Sequence, residues 1–204
     1  MTGLLASMQD FAASRAVEFD PTDLSAIVAL EGASGLVRAY TGQSFDLVED
    51  DEVRLSGTGK DALLLPELPV LAVSEIATVA DDDTETEVEA DTYRLDTETG
   101  IIWRLASGTW PEGRGNLAVT YDHGYVLPGE TGSNLPAEIQ LVTMQVAGRL
   151  YQSAGSGAGR TVRAETIGSY SVTYAEAGMS EDGASGLLPL ERAVLDRYRL
   201  VSVA

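Results

Sequence analysis

Cysteine is absent from the 204 residues, so disulfides and thiolate metal sites are excluded. Aromatic residues make up only 6%, which leaves a mostly aliphatic core. No run of about 18 apolar residues occurs, so no transmembrane helix is expected and no membrane partner is assigned. The first twenty residues lack the basic n-region and long apolar stretch of a secretory signal, and the expectation is folding in a reducing cytoplasm. Carboxylates are in excess: 32 acidic residues against 13 basic ones, a formal charge of −19. Such a surface repels nucleic-acid phosphates and anionic lipid, which disfavours tight DNA binding. Solubility alone accounts for acidity of this kind. The functional alternative is a surface that DNA passes without sticking. At 44% hydrophobic, the chain can bury the core of one large domain or two small ones.

The order of patterns predicts an α+β fold: a helical frame with an inserted small antiparallel β unit and a C-terminal helix. Residues 1–44 form an N-terminal helical part, with a short weak helix over 3–16. A longer helix opens at Asp20-Pro21-Thr22, where Asp20 or Thr22 caps and Pro21 suits the first turn. Leu24, Ile27, Val28, Leu30, Val37 and Tyr40 recur at helical spacing, and Gly42 ends it. Gly32 and Gly35 are costly inside a helix and imply close approach of another backbone. Residues 45–130 read as the antiparallel β unit, with strands over 48–55, 62–65, 70–79, 92–95 and 101–104. Pro66 and Pro69 mark edges or corners. Asp81-Asp82-Asp83 is a turn tip, and 92–95 pairs with 101–104 across Asp96–Gly100. Ile101-Ile102-Trp103 and the alternating Leu117, Val119 and Tyr121 read as a second hairpin, joined through Trp110-Pro111, Gly113 and Gly115.

A core helix follows within 131–152, its stripe formed by Ile139, Val142, Val146 and Leu150 and broadened by Leu141, Met144 and Ala147. Residues 153–186 read as a flexible loop with one strand at Tyr170, Val172 and Tyr174. Residues 187–204 form a C-terminal helix or arm opening at Pro189. Leu190, Val194, Leu195, Tyr198 and Val201 lie on its apolar face, with Arg192, Arg197 and Arg199 beside them.

The motifs of chemistry fail on inspection. The single His123 sits beside Gly124 at a strand end, and no G-x-S-x-G elbow accompanies it. Ser56–Asp61 lacks a Walker loop's first glycine, which is Arg54 here, and its hydroxyl after Lys60, which is Asp61. Gly155–Gly159 follows a helix rather than a strand, so it is no dinucleotide fingerprint. The run Asp81, Asp83, Glu85 and Glu87 has Thr86 and Thr92 where a calcium loop needs Gly and Glu. No catalytic, cofactor or metal residue is assigned, no cofactor is expected, and the chain is read as no enzyme.

The chain resembles the head-to-tail adaptor (head–tail connector) proteins of long-tailed bacteriophages. The resemblance rests on an ordered succession that covers most of residues 22–200. Leu30–Gly42 is similar to the family's first long helix with its Tyr-x-Gly stop, and Leu65-Pro66-Glu67-Leu68-Pro69-Val70 to the opening of its β unit. Gly100–Arg104, Trp110-Pro111 and Val119–Tyr125 are similar to its hairpin, Leu135–Ile139 to its second helix and Gly168–Tyr174 to the strand that follows.

The resemblance implies a structural virion protein at the head–tail interface, made in the host bacterial cytoplasm. It forms a ring, commonly of twelve copies, beneath the portal protein, extends the DNA channel and meets a stopper or other tail-side neck protein. DNA passes without specific binding, and no reaction is catalysed. Leu190, Val194, Leu195, Tyr198, Arg192 and Arg197 then become the expected contact with the portal or a neighbouring subunit. Ordinary packing of that helix onto its own domain is the competing reading. Another virion component, such as a stopper, decoration or receptor-binding protein, is the alternative function. A hydrolase using an unmarked carboxylate pair is the third class.

Overall fold

The chain combines helices with antiparallel sheets, an α+β fold with a C-terminal helix. The computed structural model describes residues 3–15, 23–155, 164–167, 170–173 and 186–200. It divides the chain into one unit of Gly3–Gly42 with Leu127–Ala204 and another of Gln43–Val126.

In the first unit, α1 spans Met8–Arg15, α2 Leu24–Thr41, α3 Ala137–Gly155 and α4 Pro189–Leu195. The cap of α2 is Asp23, not Asp20 or Thr22. Its Oδ1 accepts from the N–H groups of Ser25 (2.9 Å) and Ala26 (3.2 Å), two of the donors a helix start leaves open. Gly42, at φ +76°, ends the helix as expected and donates its N–H to Arg38 O at 2.8 Å. The buried face of α2 is made of small residues as much as large ones: Ala26, Ala29, Leu30, Ala33, Ser34, Val37 and Thr41. Leu24 and Val28, expected on that face, are 75% and 63% exposed.

Small residues let α3 lie close to α2. A Cβ on Gly32 would sit 3.3 Å from Leu150 Cδ1, so the close approach expected there is made by a side chain. At Gly35 a Cβ would meet nothing within 4 Å, so no close approach explains that glycine. Ile139, Val142, Val146 and Ala147 of α3 are buried, whereas Leu141 is exposed, so the apolar stripe is narrower than the composition implied. Two short strands, β8 (Ala164–Ile167) and β9 (Tyr170–Thr173), pair antiparallel. The first of them replaces the end of an expected loop. Most of the expected loop over 153–186, including Tyr174, and Val201 lie outside the described residues.

The second unit is a two-sheet sandwich. Strands β1 (Val48–Leu55), β7 (Leu117–His123), β3 (Val70–Val79) and β4 (Glu85–Glu87) form an antiparallel sheet in the order β1-β7-β3-β4. Strands β2 (Ala62–Leu64), β6 (Ile101–Arg104) and β5 (Tyr93–Asp96) form the other, in the order β2-β6-β5. Leu63 and Ile102 from the smaller sheet, with Leu65 just past β2, share one core with Ile76, Leu117, Val119 and Tyr121 from the larger.

The β5–β6 hairpin is as expected, but the hairpin between β6 and β7 is not formed, because the two strands lie in different sheets. Trp110 explains the difference. Its ring is buried in the shared core, its Nε1–H donates to Ile102 O at 3.2 Å and its backbone N–H to Lys60 O at 2.8 Å. The connection is therefore pinned inside the sandwich instead of turning back on β6. Gly124 closes the end of β7 at φ +93°, where a Cβ would collide with the carbonyl of Asp46.

On the outer face of the larger sheet, Arg54 of β1 reaches Glu85 of β4 at 2.7 Å. The intervening strands present Ala118 and Ala77 at that level, and both are buried. The bridge is nearly half exposed at each end. Arg54→Ala is therefore expected to change unfolding free energy by about 0–1 kcal/mol, less at high salt, as read in urea titrations.

Candidate functional site

The C-terminal element is α4 followed by a 3₁₀ turn over Asp196–Tyr198, so the α-helix ends earlier than the sequence pattern implied. Pro189 occupies the first turn, where its missing N–H is not needed. Glu191, 3% exposed, accepts the backbone N–H of Leu188 at 2.8 Å. The same carboxylate receives both terminal nitrogens of Arg149 from α3, at 2.6 and 2.7 Å. Arg149 Nη2 also donates to Gly186 O at 3.2 Å. This bidentate clasp fixes the start of the arm.

The far end is held separately. Tyr198 Oη and Arg197 Nη2 both donate to Glu138 Oε1, at 2.8 and 2.9 Å. The Glu138 backbone N–H and the Tyr198 hydroxyl together hold that carboxyl below its ordinary range. Tyr40 Oη donates to Asp196 at 2.7 Å, and this bond pushes the phenol up. Arg199 lies over the Tyr40 ring, and Leu200 N–H donates to Thr41 O at 3.0 Å.

The six residues expected to bind a partner thus divide. Leu195 is fully buried, and Val194 is half-buried. Arg192 donates to Leu187 O at 3.2 Å, while Arg197 and Tyr198 are tied to Glu138. Leu190 is the apolar one that points outward, 78% exposed, with Leu188 beside it at 41%. The Arg149–Glu191 clasp escaped the sequence reading. Its one local signal is Pro189-x-Glu191, a proline at the first helical position and an acid two residues on.

His123 ends β7 and is buried, its Nε2 3.2 Å from Asp51 Oδ2 on β1 and its ring stacked on Tyr121 at 4.9 Å. A ring covered in this way ties two strands together and offers no face to a substrate. Burial pushes the Tyr121 phenol up to about 12. It also pushes the neighbouring Glu67 carboxyl up, opposed by the attraction of His123.

A carboxyl whose pKa is raised by folding loses stability as pH rises from its unfolded value through its folded one. Glu67→Gln is therefore expected to raise the melting temperature at pH 7 and to leave it unchanged near pH 3. Thermal denaturation at the two pH values checks this. Asp82 belongs to a tight turn, accepting Thr84 N–H at 3.1 Å, while Glu85 and Glu87 lie on β4. Among the described residues no group of three or more His, Asp or Glu is placed to hold a metal, and no helix is long and apolar enough to cross a membrane.

No family model and no curated protein matches the chain. Solved structures do. A chain in the neck of an empty GTA particle computed with C6 symmetry is 18% identical, with 100% of this chain and 95% of that chain covered and a TM-score of 0.56. A chain in the virion of a native gene transfer agent (GTA) particle is 18% identical over 98% and 92%, with a TM-score of 0.55. One in the neck of a native GTA particle computed with C12 symmetry is 17% identical over 100% and 97%, with a TM-score of 0.52. At these identities the likeness is one of fold, and it spans both units of the chain.

Proposed function

We propose that this chain is a structural neck protein of a phage-like particle, a head-to-tail adaptor that forms a ring beneath the portal and continues the DNA channel. The observation that carries the reading is a fold likeness running the whole length of the chain to proteins of particle necks. Two of those necks were computed with sixfold and twelvefold symmetry, which supports a cyclic assembly of twelve copies. The partners are then the portal protein above and a stopper or other tail-side neck protein below. The chain acts by position and contact and catalyses nothing. Its acidity fits a channel that repels the DNA it conducts.

Gold-antibody labelling of purified source particles tests the reading. Label confined to the head–tail vertex, or appearing there only once particles are disrupted, is the expected result. Label over the capsid or at the tail tip favours a decoration or receptor-binding protein. No label on intact or disrupted particles overturns the virion assignment.

The arm is the proposed contact with the portal or a neighbouring subunit. Deleting residues 187–204 would test it poorly, because Leu187, Glu191 and Leu195 are buried within the arm's own unit. Leu190→Asp is the sharper change. It is expected to weaken portal binding about tenfold while leaving the melting temperature within a few degrees, since the side chain is 78% exposed. Unchanged binding in a pull-down with purified portal removes the arm from the interface.

A further inference from the structure

The β unit has two outer sheet faces, and because both sheets close on one core these faces point in opposite directions. On the smaller sheet, register places Ala62, Trp103 and Arg94 in one row and Leu64, Ile101 and Asp96 in the next. The face is apolar at its centre, with Leu64 41% and Trp103 40% exposed. Arg94 is exposed and makes no ion pair among the described residues. Asp96 is engaged with its own turn, accepting from Thr99 Oγ1 at 2.8 Å and Glu98 N–H at 3.1 Å.

The opposite face carries the complementary chemistry. Glu52, Thr120 and Glu75 form one row, and Arg54, Ala118, Ala77 and Glu87 lie in the next, with Arg54 already paired to Glu85. Glu52, Glu75 and Glu87 are all exposed around this floor of small residues. Gln43–Val126 holds nineteen acidic and five basic residues, a net −14, so most contacts between copies of this unit would set carboxylate against carboxylate. A face with a free arginine beside a tryptophan meets its opposite on the other side of the same unit. Contact of the Trp103 face with itself would instead bring two Arg94 side chains together. Two different, complementary patches on opposite sides are what a head-to-tail ring requires.

We propose that the Leu64–Ile101–Trp103 face of one copy docks on the Glu52–Thr120–Glu75 face of a second copy, with Arg94 meeting the carboxylates. The closure of this contact into a ring rests on the neck reading above; the pairing of the faces rests on their chemistry. Trp103 is the central anchor and Arg94 the charge that sets orientation.

The absence of native cysteine makes cross-linking of the full chain a direct test. Ala62→Cys and Thr120→Cys variants, mixed and oxidised at about 0.15 M salt, are expected to give A62C–T120C dimers in excess over either same-residue dimer. The chain carrying both cysteines is expected to give a ladder of larger species. Adding Trp103→Ala is expected to lower the mixed yield about tenfold, and Arg94→Glu to lower it further at low salt. Circular dichroism confirms that each variant is folded.

Same-residue dimers alone would overturn the proposal in favour of a two-fold contact. A mixed yield no higher than that of a control cysteine at the exposed Ser133 would overturn it outright. Gold label at the head–tail vertex without mixed cross-links would defeat this interface and leave the neck reading standing. Mixed cross-links with no label on any particle would do the reverse.

Discussion

Replacing Trp110 with alanine is expected to cost about 3–5 kcal/mol and to unfold the β unit well below the wild-type temperature. The indole is 1% exposed, in the core shared by the two sheets, with Tyr93 6.4 Å away and the Arg104 guanidinium 5.0 Å from the ring centroid. Its removal empties the largest fully buried side chain of the sandwich and frees the connection that holds β6 and β7 in separate sheets. Trp110→Phe keeps most of the volume but loses the Nε1–H bond to Ile102, which adds a hydrogen-bond loss of about 0.5–1.5 kcal/mol to a smaller packing loss. Trp103, the chain's other tryptophan, is 40% exposed, and its replacement by alanine is expected to cost about 1 kcal/mol or less. Urea titrations followed by circular dichroism separate the three variants. Equal costs for Trp110→Ala and Trp103→Ala would contradict the assignment of core and surface.

The strands were legible because their signals are local. Alternation and flanking turn residues set β1 and β3 at their observed bounds, and Asp96–Gly100 marks the β5–β6 turn. The pairing of β7 was not legible. Its partners β1 and β3 lie far earlier in the chain, and nothing in the run from Ile101 to Tyr121 says that Trp110 enters the core instead of capping a hairpin. The cap of α2 was misread by a short distance because Asp20, Thr22 and Asp23 all suit the role, and only geometry chooses the one that reaches Ser25 and Ala26. Leu24 and Val28 share the helical spacing of the core residues but stand outside, because the α2–α3 contact is made over alanines and Gly32, where a smaller side chain brings the axes closer.

Polar contacts were the least legible. His123 and Asp51 are 72 residues apart, and Arg149 and Glu191 are 42 apart. Among 32 acids nothing in the sequence distinguishes the few that are buried. Burial divides carboxylates that composition treats alike: Glu191 fixes a helix, Asp51 meets a buried imidazole, and Glu52 and Glu75 stay on an open sheet face. In the proposed docking, the charge that would set copies apart over most of the β unit leaves the Trp103 and Glu52 faces suited to bring them together.

Arg149→Met is expected to destabilise the helical unit by about 2–4 kcal/mol, because it leaves the Glu191 carboxylate buried with only the Leu188 N–H to meet it. The figure sits below the full cost of an isolated buried charge because Arg149 is itself 28% exposed and water can enter beside it. Glu191→Gln is expected to cost less, about 1–2 kcal/mol, since the amide oxygen can still accept the cap N–H and the guanidinium can turn to solvent. The double variant Arg149→Met, Glu191→Leu removes both charges and is expected to recover much of the loss, although the Leu188 N–H then loses its acceptor. A double-mutant cycle closed with the Glu191→Leu single variant gives the coupling from unfolding free energies, and additive losses would show that the two side chains act independently. If the arm carries the portal contact, the single variants should weaken portal binding even at temperatures where the protein stays folded, because the clasp sets where Leu188 and Leu190 stand. The double variant should restore stability more fully than binding, because a methionine–leucine contact can fill the space but cannot fix the helix start through paired hydrogen bonds.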